Sequence, residues 1–273
     1  MAITATLVRE LRDKTGAAMM DCKKALEATA GDLEAAVDHL RKAGLKTAEK
    51  KASRDTGDGR VLAVIGDGNK AGSLIAVACE TDFVAKTPDF GKMLDDLSAH
   101  VLAEGPADAE TLYGQTMAGG GTVDEYMKLV IGKLGENIRV ANVGRLEAPD
   151  GMVGSYIHHN DKVGVLVAIA GEVDEATLKD LCLHIAFHNP KGLSREDISA
   201  EVLEREMGVW KESDQLKGKP ENIQEKIIEG KLKSFYAESV LVEQPWVKDD
   251  KQSVAQALGK ASVTSFLRFE IGA

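Results

Sequence analysis

Apolar residues recur along this chain with two different periods, and the switches between them divide it into segments. Near the N-terminus Leu7, Val8 and Leu11 fall at helical spacing. Cys22, Ala25 and Leu26 repeat the pattern, and Leu33, Ala36, Val37 and Leu40 make a third stripe. Gly16, Gly31-Asp32 and Gly44 punctuate the stripes, and Asp21 is placed to cap the second. The expectation is three short helices over residues 1–44, with Met19-Met20 in the link between the first two. Methionine fills irregular gaps, so this pair reads either as core or as an adaptable contact surface. Residues 46–59 are polar, basic and glycine-containing, which reads as a tether that could be cut without exposing the core.

The period then changes to that of strands. Residues 61–65, the turn Gly66-Asp67-Gly68-Asn69 and residues 73–79 predict a hairpin. Its glycines lead into a second strand and not a helix, so they do not form a dinucleotide-binding turn. Thr87-Pro88 marks a helix start, and Phe90, Met93, Leu94, Leu97 and Val101 give its apolar face. Helices near 109–117 and 122–134 follow, the second with a capping box of Thr122 and Glu125.

A second copy of the pattern comes next. Residues 152–157, a turn at His159-Asn160 and residues 163–170 predict another hairpin, and Leu178, Leu181, Cys182 and Ile185 a helix behind it. A shift of 92 residues places Gly72 on Gly164, Leu74 on Leu166, Ala76 on Ala168 and Ala78 on Ala170. The copies differ where strand passes to helix. The second has only Gly171-Glu172-Val173 before Asp174, whereas the first runs from Glu80 to Thr87, about five residues longer. Residues 194–237 read as an inserted helical hairpin that turns at Lys217-Gly218-Lys219-Pro220 and can project as a coiled coil. A strand over 239–243, a short helix near 253–259 and a strand over 263–271 complete the pattern. The fold class expected is α+β: a bundle with its tether over 1–53, one core unit over 54–140, and a second over 141–273 carrying the insertion 199–237.

Composition narrows the function. The chain has 273 residues, 44% apolar and 29% charged, with a net charge of −10. That balance argues against a general nucleic-acid binder. Residues 1–55 hold 11 basic and 9 acidic residues, a net of +2, and the remaining 23 and 35 give −12. Arg41, Lys42, Lys46, Lys50, Lys51 and Arg54 face only Glu49, which reads as a solvated helix and linker in preference to a binding patch. No apolar run reaches membrane-spanning length, and the first six residues lack a secretory pattern. With Cys22, Cys79 and Cys182 far apart, the expectation is reduced thiols in a cytoplasmic protein.

Catalytic motifs are not found: no P-loop, no G-x-S-x-G, no CxxC pair. His184 and His188 stand one helical turn apart but lack an evident third ligand, so structural histidines are the favoured reading and a metal the alternative. His158-His159 sits in a turn, as an exposed turn or a partner contact. Phe, Trp and Tyr make up only 4% of the chain, so Phe83 beside Asp82 in a connection invites a reason. Either Phe83 folds back over the core or it projects into a partner. A shared scaffold needs only the short link, and the added length favours the projecting probe.

Thr81-Asp82-Phe83-Val84-Ala85-Lys86 resembles the signature loop of the elongation factor Ts family. Residues 15–26, from Thr15-Gly16-Ala17 through Met19-Met20-Asp21-Cys22 to Ala25-Leu26, are similar to that family's other signature. Further matches run through Gly154-Ser155-Tyr156, Gly164-Val165-Leu166-Val167, Gly218-Lys219-Pro220 and Phe266-Leu267-Arg268-Phe269-Glu270, over almost the whole chain. The resemblance implies a ubiquitin-associated-like bundle, two related core units and a protruding coiled coil. It implies a guanine nucleotide exchange factor with no cofactor of its own, forming a heterodimer with elongation factor Tu, GDP-bound or nucleotide-free. By the same resemblance Thr81, Asp82, Phe83 and Val84 would disturb the partner's magnesium site. Leu11, Met19, Met20 and Lys23 would touch its nucleotide domain, and His158 another domain. The hairpin 199–237 would serve any higher assembly. The alternative from a different class is a multidomain adaptor that binds a ubiquitin-like or other protein partner, which would have no need for Asp82-Phe83.

Overall fold

The computed structural model describes residues 3–213 and 215–272. The leader reading of the first six residues therefore falls partly on Met1 and Ala2, outside the described residues.

Three helices open the chain: α1 (Ala5–Thr15), α2 (Met19–Ala28) and α3 (Leu33–Lys51). The Thr4 hydroxyl accepts the Leu7 N–H at the start of α1, and Gly16 ends it in the left-handed region at φ 66°. Val8, Leu11, Cys22, Ala25, Leu26 and Ala36 close a small core. Two sequence expectations change here. Ala18, not Asp21, occupies the cap position of α2, so Met19 and Met20 begin that helix and are not in a link. And α3 does not stop at Gly44 but runs 19 residues, to Lys51, into the first part of the expected tether.

Packing gives the reason. α3 crosses α7 (Val123–Leu134), and a Cβ at Gly132 would lie 2.8 Å from the Gly44 Cα. A mid-helix glycine costs up to about 1 kcal/mol relative to alanine. Here it permits a backbone approach that no side chain would allow. Ala48 then enters the core beside Met127 and Ile131. The basic residues are staples between bundle and body: Arg41 pairs with Glu125 at 3.2 Å, Arg54 with Glu80 at 3.4 Å, and the Lys51 ammonium donates to the Gly135 carbonyl.

The body has two antiparallel three-stranded sheets. The first joins β1 (Asp58–Ile65), β2 (Ala71–Cys79) and β3 (Ile138–Glu147), with β2 central. The second joins β4 (Gly151–Ile157), β5 (Val163–Ala170) and β8 (Ser262–Glu270), with β5 central. Val61, Leu74 and Ala76 pack against Val153, Leu166 and Ala168 between the sheets. On the outer faces Ile75, Val77 and Cys79 meet Phe90, Met93 and Leu97 of α5 (Pro88–Glu104). Val165, Val167 and Ile169 likewise meet Leu181, Cys182 and Ile185 of α8 (Glu175–His188). The central strands are therefore covered on both sides, which explains their unbroken apolar runs.

The repeat is legible as reciprocal contact. A Cβ on Gly72 would meet Leu166, and one on Gly164 would meet Leu74, the same pair exchanged by the 92-residue shift. β3, which the sequence reading missed, and β8 each complete a sheet beside its central strand.

In the second half α9 (Ala200–Lys211) and α10 (Glu221–Ser239) form a helical hairpin, with Trp210 and Phe235 in ring contact at 5.9 Å. The strand expected over 239–243 is absent. Val240 N–H still bonds the Tyr236 carbonyl, so the helix carries through Ser239 and a 3-10 turn follows at Leu241–Glu243. A small ribbon of β6 (Pro245–Trp246) and β7 (Asp249–Ser253) leads to α11 (Val254–Leu258). The capping box at Thr122 and Glu125 is formed as expected, whereas α6 (Ala109–Gly114) ends earlier than 117.

A candidate partner-insertion turn after the second strand

Between Cys79 and the start of α5 the chain forms a single helical turn, α4 (Asp82–Ala85), in place of the expected irregular loop. The Thr81 hydroxyl caps it by accepting the Val84 N–H at 3.4 Å. Thr87 then caps α5 with Pro88 in its first turn. Ala85 is buried and Val84 packs on the core beneath, while Phe83 is 81% exposed. That exposure rejects the reading in which Phe83 covers the core. Phe90 fills that role at 0% exposure.

The turn is anchored rather than free. Glu136 accepts the Thr81 hydroxyl at 2.6 Å and the Thr81 N–H at 3.0 Å. Glu80 accepts the Asn137 N–H at 2.6 Å, which, with Arg54, holds its carboxyl below the usual range. The Lys86 ammonium bonds Asp82 at 2.6 Å and lowers the Asp82 pKa, to which Lys162 adds. Lys162 also pairs with Asp58 at 3.1 Å, and Arg60 with Asp161 at 3.1 Å. The 158–162 turn of the second sheet thus abuts the end of the first sheet from which α4 emerges. His158 there is half-buried and shares a 3.0 Å hydrogen bond with the Tyr156 hydroxyl.

On the bundle Met19 and Met20 are 43% and 59% exposed, and Lys23 lies on the same helix, near Glu27 at 3.8 Å. Their surface position matches the contact reading and not the core one. Leu11 is a correction: it is 0% exposed among Cys22 and Leu26, so it packs the bundle and offers no surface.

The other candidates have structural partners. His184 is buried, bonds Gln244 at 2.9 Å, stacks on Trp246 and His188, and burial lowers its pKa to about 4. Burial first, then Glu136, pushes the Cys79 thiol up to about 12, far from a reactive thiolate. Among the described residues no three His, Cys, Asp or Glu cluster to hold a metal, and no helix is long and apolar enough to cross a membrane. What the site presents is an exposed aromatic on a hydrogen-bonded turn, flanked by an ion pair. Glu136 and Asn137 were missed because their only sequence signal is a glycine helix stop followed by two polar residues.

A family model described as Elongation factor TS matches residues 80–273. A protein named Elongation factor Ts from Methylococcus capsulatus is 44% identical over 274 residues, covering 100% of this chain and 93% of that relative. One of the same name from Hydrogenovibrio crunogenus is 43% identical, covering 100% and 92%. Another from Nautilia profundicola is 44% identical over 286 residues, covering 99% and 93%.

Proposed function

The chain belongs to the elongation factor Ts family, and from that premise we propose that it binds elongation factor Tu carrying GDP and speeds release of the nucleotide, so that GTP can follow during translation elongation. Such a factor forms no covalent bond. It needs only to bind the nucleotide-free partner more tightly than the loaded one, and by reciprocity the nucleotide then expels it.

The supporting observation is Phe83, 81% exposed on a capped and anchored turn. Leaving a phenyl ring in water is unfavourable, and fixing it there prepares an anchor for a partner pocket. Asp82 beside it, paired with Lys86, brings charge to the same place. Magnesium bridges phosphate oxygens to protein in guanine nucleotide sites, so an inserted turn that shifts its ligands weakens the hold on GDP. In this reading residues 81–84 enter beside the partner's magnesium. Met19, Met20 and Lys23 grip its nucleotide domain, with Leu11 supporting that face from within the bundle. His158 meets another domain of the partner. The work divides among a ubiquitin-associated-like bundle over 1–53 and core units over 54–140 and 141–273, in a heterodimer. Val209, 61% exposed on the hairpin, suits any further assembly through 199–237 as a coiled coil.

The test is release of labelled GDP from purified elongation factor Tu with and without this protein. Acceleration at substoichiometric amounts is expected. A release rate independent of the protein would overturn the reading.

A further inference from the structure

We propose that Glu136 and Asn137 are positioning residues for exchange, clamping the Phe83 turn and the end of α3 into one fixed relation; this rests on the exchange function above. α7 ends at Gly135, in the left-handed region at φ 77°, and the next two residues turn back beneath α4. One carboxylate, Glu136, takes both donors of Thr81, the hydroxyl at 2.6 Å and the N–H at 3.0 Å. The Thr81 carbonyl accepts the Cys79 thiol at 3.1 Å. Every polar group of the residue that caps α4 is therefore committed. A helix of one turn has no stability of its own, so α4 holds its shape through these tertiary bonds.

Asn137 faces the other way. Its backbone N–H binds Glu80 at 2.6 Å, while its buried side-chain amide donates to the Arg54 carbonyl at 2.7 Å and the Ala52 carbonyl at 3.4 Å. Ala52 and Arg54 directly follow α3, whose Lys51 reaches back to the Gly135 carbonyl. Two adjacent residues thus fasten α4, which carries Phe83, to the end of α3, which packs in the bundle against α2 and its exposed Met19-Met20. A contact set far from its target in sequence but adjoining it in space is what holds a functional group to within a fraction of an ångström. Among the described residues the link after β5 has no such clamp: Gly171 donates its N–H to the Asp150 carbonyl at 3.1 Å.

The experiment compares Glu136→Ala and Glu136→Gln in the wild-type and Phe83→Ala backgrounds, with GDP release followed against factor concentration. Glu136→Ala is expected to lower the maximal rate about tenfold, with the half-saturating concentration changed by less than about threefold. Glu136→Gln keeps one acceptor and should fall between. In the Phe83→Ala background the further loss from Glu136→Ala should shrink to within about twofold, because both changes disable one device. Full activity in a folded Glu136→Ala protein, or an equal loss in both backgrounds, would overturn the proposal. Amide hydrogen exchange at Val84 in the free protein supplies a partner-independent reading. It should quicken about tenfold in Glu136→Ala and by less in Glu136→Gln, and an unchanged rate in Glu136→Ala would count against the clamp even where GDP release falls. The wild-type release rate, read in the same assay, reports separately on the exchange function.

Discussion

The links after β2 and β5 leave equivalent strands and enter equivalent helices, yet only one carries an exposed aromatic. After β5 three residues, 171–173, reach Asp174, which caps α8. After β2 seven residues, 80–86, reach Thr87, which caps α5. Counted cap to cap the excess is four residues, one fewer than the sequence suggested, and α4 accounts for it. Both links close the same strand-to-helix geometry, so folding requires only the shorter. The added turn costs conformational entropy and leaves Phe83 in solvent. A repeat thus separates what the scaffold needs from what one copy carries in addition.

The largest expected effect sharpens that separation within the first half. Phe90→Ala should lower stability by about 3–5 kcal/mol, as for a fully buried ring. Phe83→Ala should leave the unfolding free energy within about 0.5 kcal/mol of wild type. It should instead cost about 2 kcal/mol in the step that expels GDP, read as release rate. Denaturant unfolding and GDP release on both variants check the crossing of these effects. Equal destabilisation by the two would mean that Phe83 is core in solution. The smallest effect concerns the second half's own addition. Replacing residues 199–237 with a short Gly/Ser link should leave GDP release within about twofold, since α9 has no fully buried residue and packs on α10. Loss of exchange in a replacement that stays folded would place a partner contact on the hairpin.

Much of this was legible in the sequence, for identifiable reasons. Helix starts with a hydroxyl cap, such as Thr87 and Thr122, were read close to their true places because the cap is local chemistry. The repeat was legible because the two glycines of the shift face the partner sheet and must stay small. The course of α3 was not. Gly44 looks like a helix stop, and only its contact with Gly132, 88 positions away, makes it a crossing point. The severable tether fails for the same reason, because Ala48 belongs to the body's core. The strand expected at 239–243 was too short a run to distinguish from a helix end. At the site, the exposed Phe83 was inferred from link length, whereas Leu11 was misplaced because a signature residue can serve packing alone. Glu136 and Asn137 act across 55 to 85 positions, a separation that no local pattern records.

The most direct measurement grafts one half's link onto the other. Residues 80–86 are replaced by Gly-Glu-Val, the sequence that joins β5 to α8, and GDP release from elongation factor Tu is measured beside cooperative unfolding. The account predicts a folded protein that still associates with the partner through its bundle, while release falls to the spontaneous rate. Undiminished release by the folded graft would show that the Phe83 turn is not what opens the nucleotide site.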